Sequence, residues 1–102
     1  MRRVTLRQTT LDLLPTDREL GAALCEMPDG SLAAGPVSEG TMSNVDIPLS
    51  CPAGGKVFGT WHTHPQGVAN PSPQDWEMLR RHGLRKLCIT QTPTGETRCW
   101  PA

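Results

Sequence analysis

The sequence predicts an α+β fold, a mixed sheet with one well-marked helix. The run Lys56–His62 (KVFGTWH) is β-branched and aromatic, as strands prefer. Ser72–His82 carries helix signals at both ends. Arg85–Thr90 and Thr97–Trp100 flank a Thr92-Pro93-Thr94-Gly95 turn and read as a closing antiparallel hairpin. At 102 residues the chain is the size of one domain around one core.

Taken in order, Val4–Leu6 reads as a short strand and Thr9–Leu14 as one or two helical turns, stopped by Pro15. Glu19–Cys25 (ELGAALC) is small and apolar and suits strand or helix; the turn residues Pro28-Asp29-Gly30 favour strand, with Ser31–Val37 pairing back across them. Ser38–Gly55 reads as a loop with one strand at Asn44–Leu49, and a long loop in a small domain is often functional. The helix has Ser72 as N-cap, Pro73 at its first position, Arg80, Arg81 and His82 in its last turn and Gly83 as its stop. Trp76 and Leu79 share one helix face, and Trp76 reads as core. Trp61 should point away from its neighbour His62, into the core on the other sheet face. His82 reads as a helix-end cation.

Ten basic and ten acidic side chains give zero net charge, and no basic run is present, which argues against an electrostatic nucleic-acid binder. Residues 1–55 hold four basic and seven acidic side chains and 56–102 hold six and three, so one acidic and one basic face are expected. No stretch approaches the ~18 apolar residues of a membrane span. The basic N-terminus is interrupted by Arg7, Gln8 and Asp12, unlike a secretory signal. Cys25, Cys51, Cys88 and Cys99 show no CxxC spacing and are too sparse for a disulfide scaffold. Mostly reduced thiols in a soluble, cytoplasmic protein are expected. Cys88 and Cys99 fall near each other on the closing hairpin, where a bridge is left open.

The chemistry concentrates in His62-Thr63-His64-Pro65, six residues, then Ser72-Pro73-Gln74-Asp75. Residues i and i+2 of a strand point the same way, so His62 and His64 can present their imidazoles to one point. Pro65 ends the strand, the loop Gln66–Pro71 turns the chain, and Asp75, one turn into the helix, can swing its carboxylate back. Two histidines and one carboxylate suit catalytic zinc with a fourth position open for water. Capping alone explains Ser72 and Asp75 but gives no reason for paired imidazoles on the preceding strand. H-E-x-x-H is absent, and so are the H-x-E and P-C-x-x-C of nucleobase deaminases.

The stretch His62-Thr63-His64-Pro65-(six residues)-Ser72-x-x-Asp75 resembles the signature of the JAMM (MPN+) zinc metalloproteases, spacing included, and Lys56–Trp61 is similar to the strand that delivers their histidines. The family motif begins with a glutamate some forty residues upstream, and Glu19 is the match chosen here. The resemblance runs over about residues 17–100, so 1–102 reads as a single JAMM/MPN+ domain. It implies a cytidine-deaminase-like fold, with a curved mixed sheet flanked by helices.

The resemblance also implies roles. His62, His64 and Asp75 would hold Zn²⁺. Glu19 would serve as general base and pass its proton to the departing amine. Ser72 would donate to the oxyanion. Glu26 and Glu39 compete with Glu19; Glu26, an odd number of residues on, belongs to the opposite strand face, and Glu39 lies in a Gly-rich turn. The implied activity is hydrolysis of a peptide or isopeptide bond after the C-terminal tail of a ubiquitin-like or sulfur-carrier protein, without nucleic acid or membrane. Family relatives also include phage-tail peptidases. A metal-free scaffold domain is the competing class. The sequence gives no oligomeric state. Ser38–Gly55 and Gln66–Pro71 are expected to border the site.

Overall fold

β1 (Leu20–Glu26) turns at Pro28–Gly30 and pairs antiparallel with β2 (Leu32–Ala34), as the turn residues predict. Gly30 takes a positive φ of 83°, which a side chain would resist. The chain then forms β3 (Ser38–Glu39), β4 (Lys56–His64), α1 (Pro73–His82), β5 (Lys86–Gln91) and β6 (Glu96–Pro101). The computed structural model describes residues 14–65 and 70–101; the strand read at Val4–Leu6 and nearly all of the turns read at Thr9–Leu14 lie outside them.

The strands make one mixed sheet in the order β2-β1-β4-β5-β6, with β3 also on β1. β4 lies at its centre, antiparallel to β1 and parallel to β5. The parallel step follows from the crossover through α1, and the closing hairpin β5–β6 is antiparallel as read. The sheet has a core on each face. On the helix side Leu79, Leu84, Leu87 and Ile89 are buried, with Trp76 and Trp100 against them. On the other face Trp61, Ala22, Leu24 and Cys88 pack together, so Trp61 does turn away from His62.

Two expectations need correction. No strand forms at Asn44–Leu49. β1 already has β4 along one side and β2 and β3 along the other, so no edge is free for it. The segment instead crosses the face of β1, where Val45 and Ile47 lie so close to Gly21 that a Cβ there would sit 2.7 Å from Ile47 Cγ1. The Ser38 hydroxyl donates to Asp46 O at 2.6 Å and helps to hold this path.

The cysteines are not reduced. Cys88 and Cys99 are directly opposite on β5 and β6 and form a disulfide, and Cys25 is bonded to Cys51, 26 residues on. The second pairing has no local signal, because only the crossing of the loop over β1 brings Cys51 to Cys25. No helix among the described residues is long and apolar enough to cross a membrane.

Candidate metal centre

β4 runs two residues beyond the Lys56–His62 strand read from the sequence, so His62 and His64 lie on one regular strand and one face. His62 pairs with Gly21 on one side and Ile89 on the other, and is only 3% exposed. His64 is partly buried; its carbonyl accepts the Thr92 N–H at 3.1 Å, which ties the end of β4 to the end of β5. The two Nε2 atoms are 3.0 Å apart. Two imidazole nitrogens this close cannot both turn a lone pair on the same point unless a proton or a metal cation lies between them.

The third ligand candidate is placed by helix capping. Ser72 caps α1 in extended conformation and completes a capping box with Asp75. Its Oγ accepts the Asp75 N–H at 3.3 Å, and Asp75 Oδ2 accepts the Ser72 N–H at 2.8 Å. That grip turns the carboxylate toward the strand: Oδ1 stands 3.5 Å from His62 Nε2, and Oδ2 stands 4.0 Å from His64 Nε2. Zn–N bonds of about 2.0–2.1 Å would set tetrahedral ligand atoms roughly 3.3 Å apart, close to the separation of the two imidazole nitrogens; Asp75 meets the two rings through different oxygens, so it would join them on one ion by turning its carboxylate.

Glu19 comes from the other side. It immediately precedes β1 and, two residues before Gly21, lies on the same sheet face as His62, with which Gly21 is paired. Its carboxylate, His62 and His64 offer ligand atoms within 4.8 Å of one another. Glu26, at the far end of β1, pairs with Lys56 and is exposed, and Glu39 is exposed and ion-paired to Arg18. Among the three glutamates considered, the fold brings Glu19 to the histidines.

Two carboxylates therefore face the imidazole pair, and their environments push them apart. Burial raises the Glu19 carboxyl above the ordinary glutamate range; His62 opposes this and Asp75 adds to it. Burial also raises Asp75, but hydrogen bonding to and the charge of His62, with the two Ser72 bonds, outweigh it and leave Asp75 below the ordinary range. The site therefore holds one carboxylate that keeps its proton more readily than usual and one that gives it up more readily, beside the same pair of imidazoles.

These side chains open into a cavity of about 410 Å³ that also meets Met42, Val45, Ile47, Met78 and Leu87. The loop between Ser38 and Gly55 supplies one wall, as expected. The part of Gln66–Pro71 within 66–69 lies outside the described residues. His82 is exposed at the helix end, away from this cavity. The apolar wall was not read from the sequence. Its signal is the small pair Gly21 and Ala23 on one face of β1, where Gly21 leaves room for the bulky side chains of Val45 and Ile47.

A family model described as prokaryotic homologues of the JAB domain matches residues 21–102. The match spans His62, His64, Ser72 and Asp75 but starts two residues after Glu19, whose place rests on the geometry. No curated protein matches the chain. The crystal structure of a JAB1/MPN domain protein from Archaeoglobus fulgidus is similar at 26% identity and TM-score 0.58, over 92% of this chain and 82% of that one. Its fold supports the same α+β architecture. Through the family model's match over most of its length, the chain belongs to the prokaryotic homologues of the JAB domain.

Proposed function

We propose that this chain is a zinc-dependent peptidase that hydrolyses a peptide or isopeptide bond after the C-terminal tail of a ubiquitin-like or sulfur-carrier protein. The observation that carries the chemistry is the gathering of His62, His64, Glu19 and Asp75 in one cleft, with Glu19 and Asp75 approaching the imidazole pair from different elements. His62, His64 and Asp75 would hold the metal. When bound, zinc supplies a Lewis acid that polarises a carbonyl and acidifies water.

The chain's own residues supply the rest. Glu19 takes a proton from the attacking water and returns it to the leaving amine, so no covalent intermediate with the protein is needed. The Ser72 oxygen is occupied as an acceptor from the Asp75 N–H, which leaves its hydroxyl proton to donate to the developing oxyanion in the cavity. Val45, Ile47, Met78 and Leu87 give the cleft an apolar wall against which an extended substrate segment would pack. The substrate class rests on family resemblance. A metal-free scaffold needs none of His62, His64, Asp75, Ser72 and Glu19 gathered in one cleft.

The test is elemental analysis with a cleavage panel. Purified protein should hold about one zinc per chain and cleave a ubiquitin-like or sulfur-carrier fusion, with loss on chelation and recovery on adding zinc. Protein that takes up no zinc at neutral pH rejects the reading. Zinc uptake with cleavage of unrelated linear peptides alone rejects the substrate class.

A further inference from the structure

We propose that Thr63, the residue between the two histidines, is a positioning residue that sets where Glu19 stands relative to the metal ligands. The inference rests on the hydrolase reading above. Thr63 is fully buried, and its side chain lies on the sheet face away from the imidazoles. The β1–β4 ladder is regular from Ala23↔Thr60 to Gly21↔His62 and stops there. One residue further on, the Leu20 N–H has left the ladder and is accepted by Thr63 Oγ1 at 2.9 Å.

The remaining main-chain bonds at this point come from the other side. Glu19 N–H donates to Thr41 O at 2.7 Å, and Gly40 N–H donates to Glu19 O at 2.8 Å. These bonds tie Glu19 to the loop that follows β3. The Thr63 hydroxyl ties the same backbone to β4, at the residue between its two ligand candidates. Without it the start of β1 follows the loop rather than the ligand strand. The distance between base and ligands is then no longer fixed by one element.

The test compares Thr63→Val, which keeps the shape and removes the acceptor, with Thr63→Ser, which keeps the acceptor. With zinc-loaded protein and the fusion substrate above, Thr63→Val should lower kcat by roughly ten- to a hundredfold while KM and zinc affinity stay within about threefold, because a base displaced by an ångström loses its near-attack geometry. Thr63→Ser should restore kcat to within about threefold. In a Glu19→Gln background, Thr63→Val should add no further loss. Wild-type kcat in Thr63→Val, an equal loss in Thr63→Ser, or an undiminished loss in the Glu19→Gln background overturns the proposal. Thr63→Ala takes the place of Thr63→Val if the latter does not fold.

Failure of the hydrolase reading is separable. If the wild-type chain cleaves nothing, Co²⁺-loaded protein still decides the point. Paramagnetic broadening of the Glu19 carboxylate carbon falls steeply with distance from the metal. It should change in Thr63→Val and be unchanged in Thr63→Ser, and equal broadening in all three proteins overturns the inference.

Discussion

The identity of the ligand carboxylate is the sharpest point at which the site can be tested, because two acidic groups lie within reach of the same imidazoles. Asp75→Asn keeps an oxygen that can accept the Ser72 N–H, now 2.8 Å from Asp75 Oδ2, and discards the charge that a divalent ion needs. Weakening that charge-assisted bond and the helix-dipole contact should cost about 1 kcal/mol in metal-free protein. For a domain of this size that is a fall of roughly 4–8 °C in Tm. Wild-type protein at free zinc a hundredfold above Kd gains about 2.7 kcal/mol, a rise of roughly 10–20 °C. Thermal unfolding with zinc and with chelator therefore separates the two effects. Asp75→Asn should unfold slightly earlier than wild type in chelator and lose nearly all of the zinc-dependent rise. Glu19→Gln should keep that rise and lose turnover. The opposite pattern, with zinc stabilisation retained in Asp75→Asn and abolished in Glu19→Gln, would make Glu19 the ligand and refute the mechanism.

Ser72→Ala should keep zinc, lower kcat by roughly a hundredfold or more as a lost oxyanion donor, and cost about 0.5–1 kcal/mol by urea titration, the low end for a cap because its bond to Asp75 N is long. Reducing the Cys25–Cys51 bridge frees a loop with a sequence separation of 26, worth about 3.5 kcal/mol of chain entropy; Cys51→Ser should show a loss of that order by urea unfolding, and an unchanged midpoint would mean that the bridge does not form. Burial raises the Glu19 carboxyl from 4.5, so the folded metal-free protein holds that proton more tightly than the unfolded chain. The stability this contributes is full below the unfolded value and lost as pH rises through the raised one. Glu19→Gln should therefore gain on wild type as pH is raised through that window, and a difference that stays flat with pH would contradict the assignment.

Much of the site was legible because its parts obey local rules. HxH needs only strand alternation to converge, and S-x-x-D needs only capping geometry to turn a carboxylate back. Both rules act over a few residues, and the structure obeys them. Glu19 was harder. Its approach to the histidines depends on the register Gly21↔His62, a pairing across 41 residues that no local pattern encodes. The same limit hid Ile47 above Gly21 and Cys51 beside Cys25, both set by where the loop crosses β1. The strand expected at Asn44–Leu49 failed for a related reason. Its alternation is real, but it matches a surface to cover and not an edge to pair. Composition misled on the cysteines, since sparse spacing says nothing about partners that meet only in three dimensions.

The arrangement also explains why the metal should matter to folding as well as to chemistry. In the metal-free chain a buried and a half-buried imidazole face two carboxylates, one of them desolvated against its preference. Each part is held by something outside the cluster: β4 by its two neighbouring strands, Asp75 by the capping box, and Glu19 by main-chain bonds to Gly40 and Thr41, with the adjoining Leu20 N–H accepted by Thr63. Such a cluster is unfavourable by itself and persists because the surroundings over-determine it. A divalent cation held there would reverse the balance by uniting the nitrogen lone pairs and offsetting the carboxylate charge, so its binding energy would also be folding energy. A scaffold that had abandoned catalysis would gain stability by replacing Glu19 or either histidine with an apolar residue. A metal bound at this cluster would thus tie the chain's stability to the same residues that would carry out the proposed chemistry.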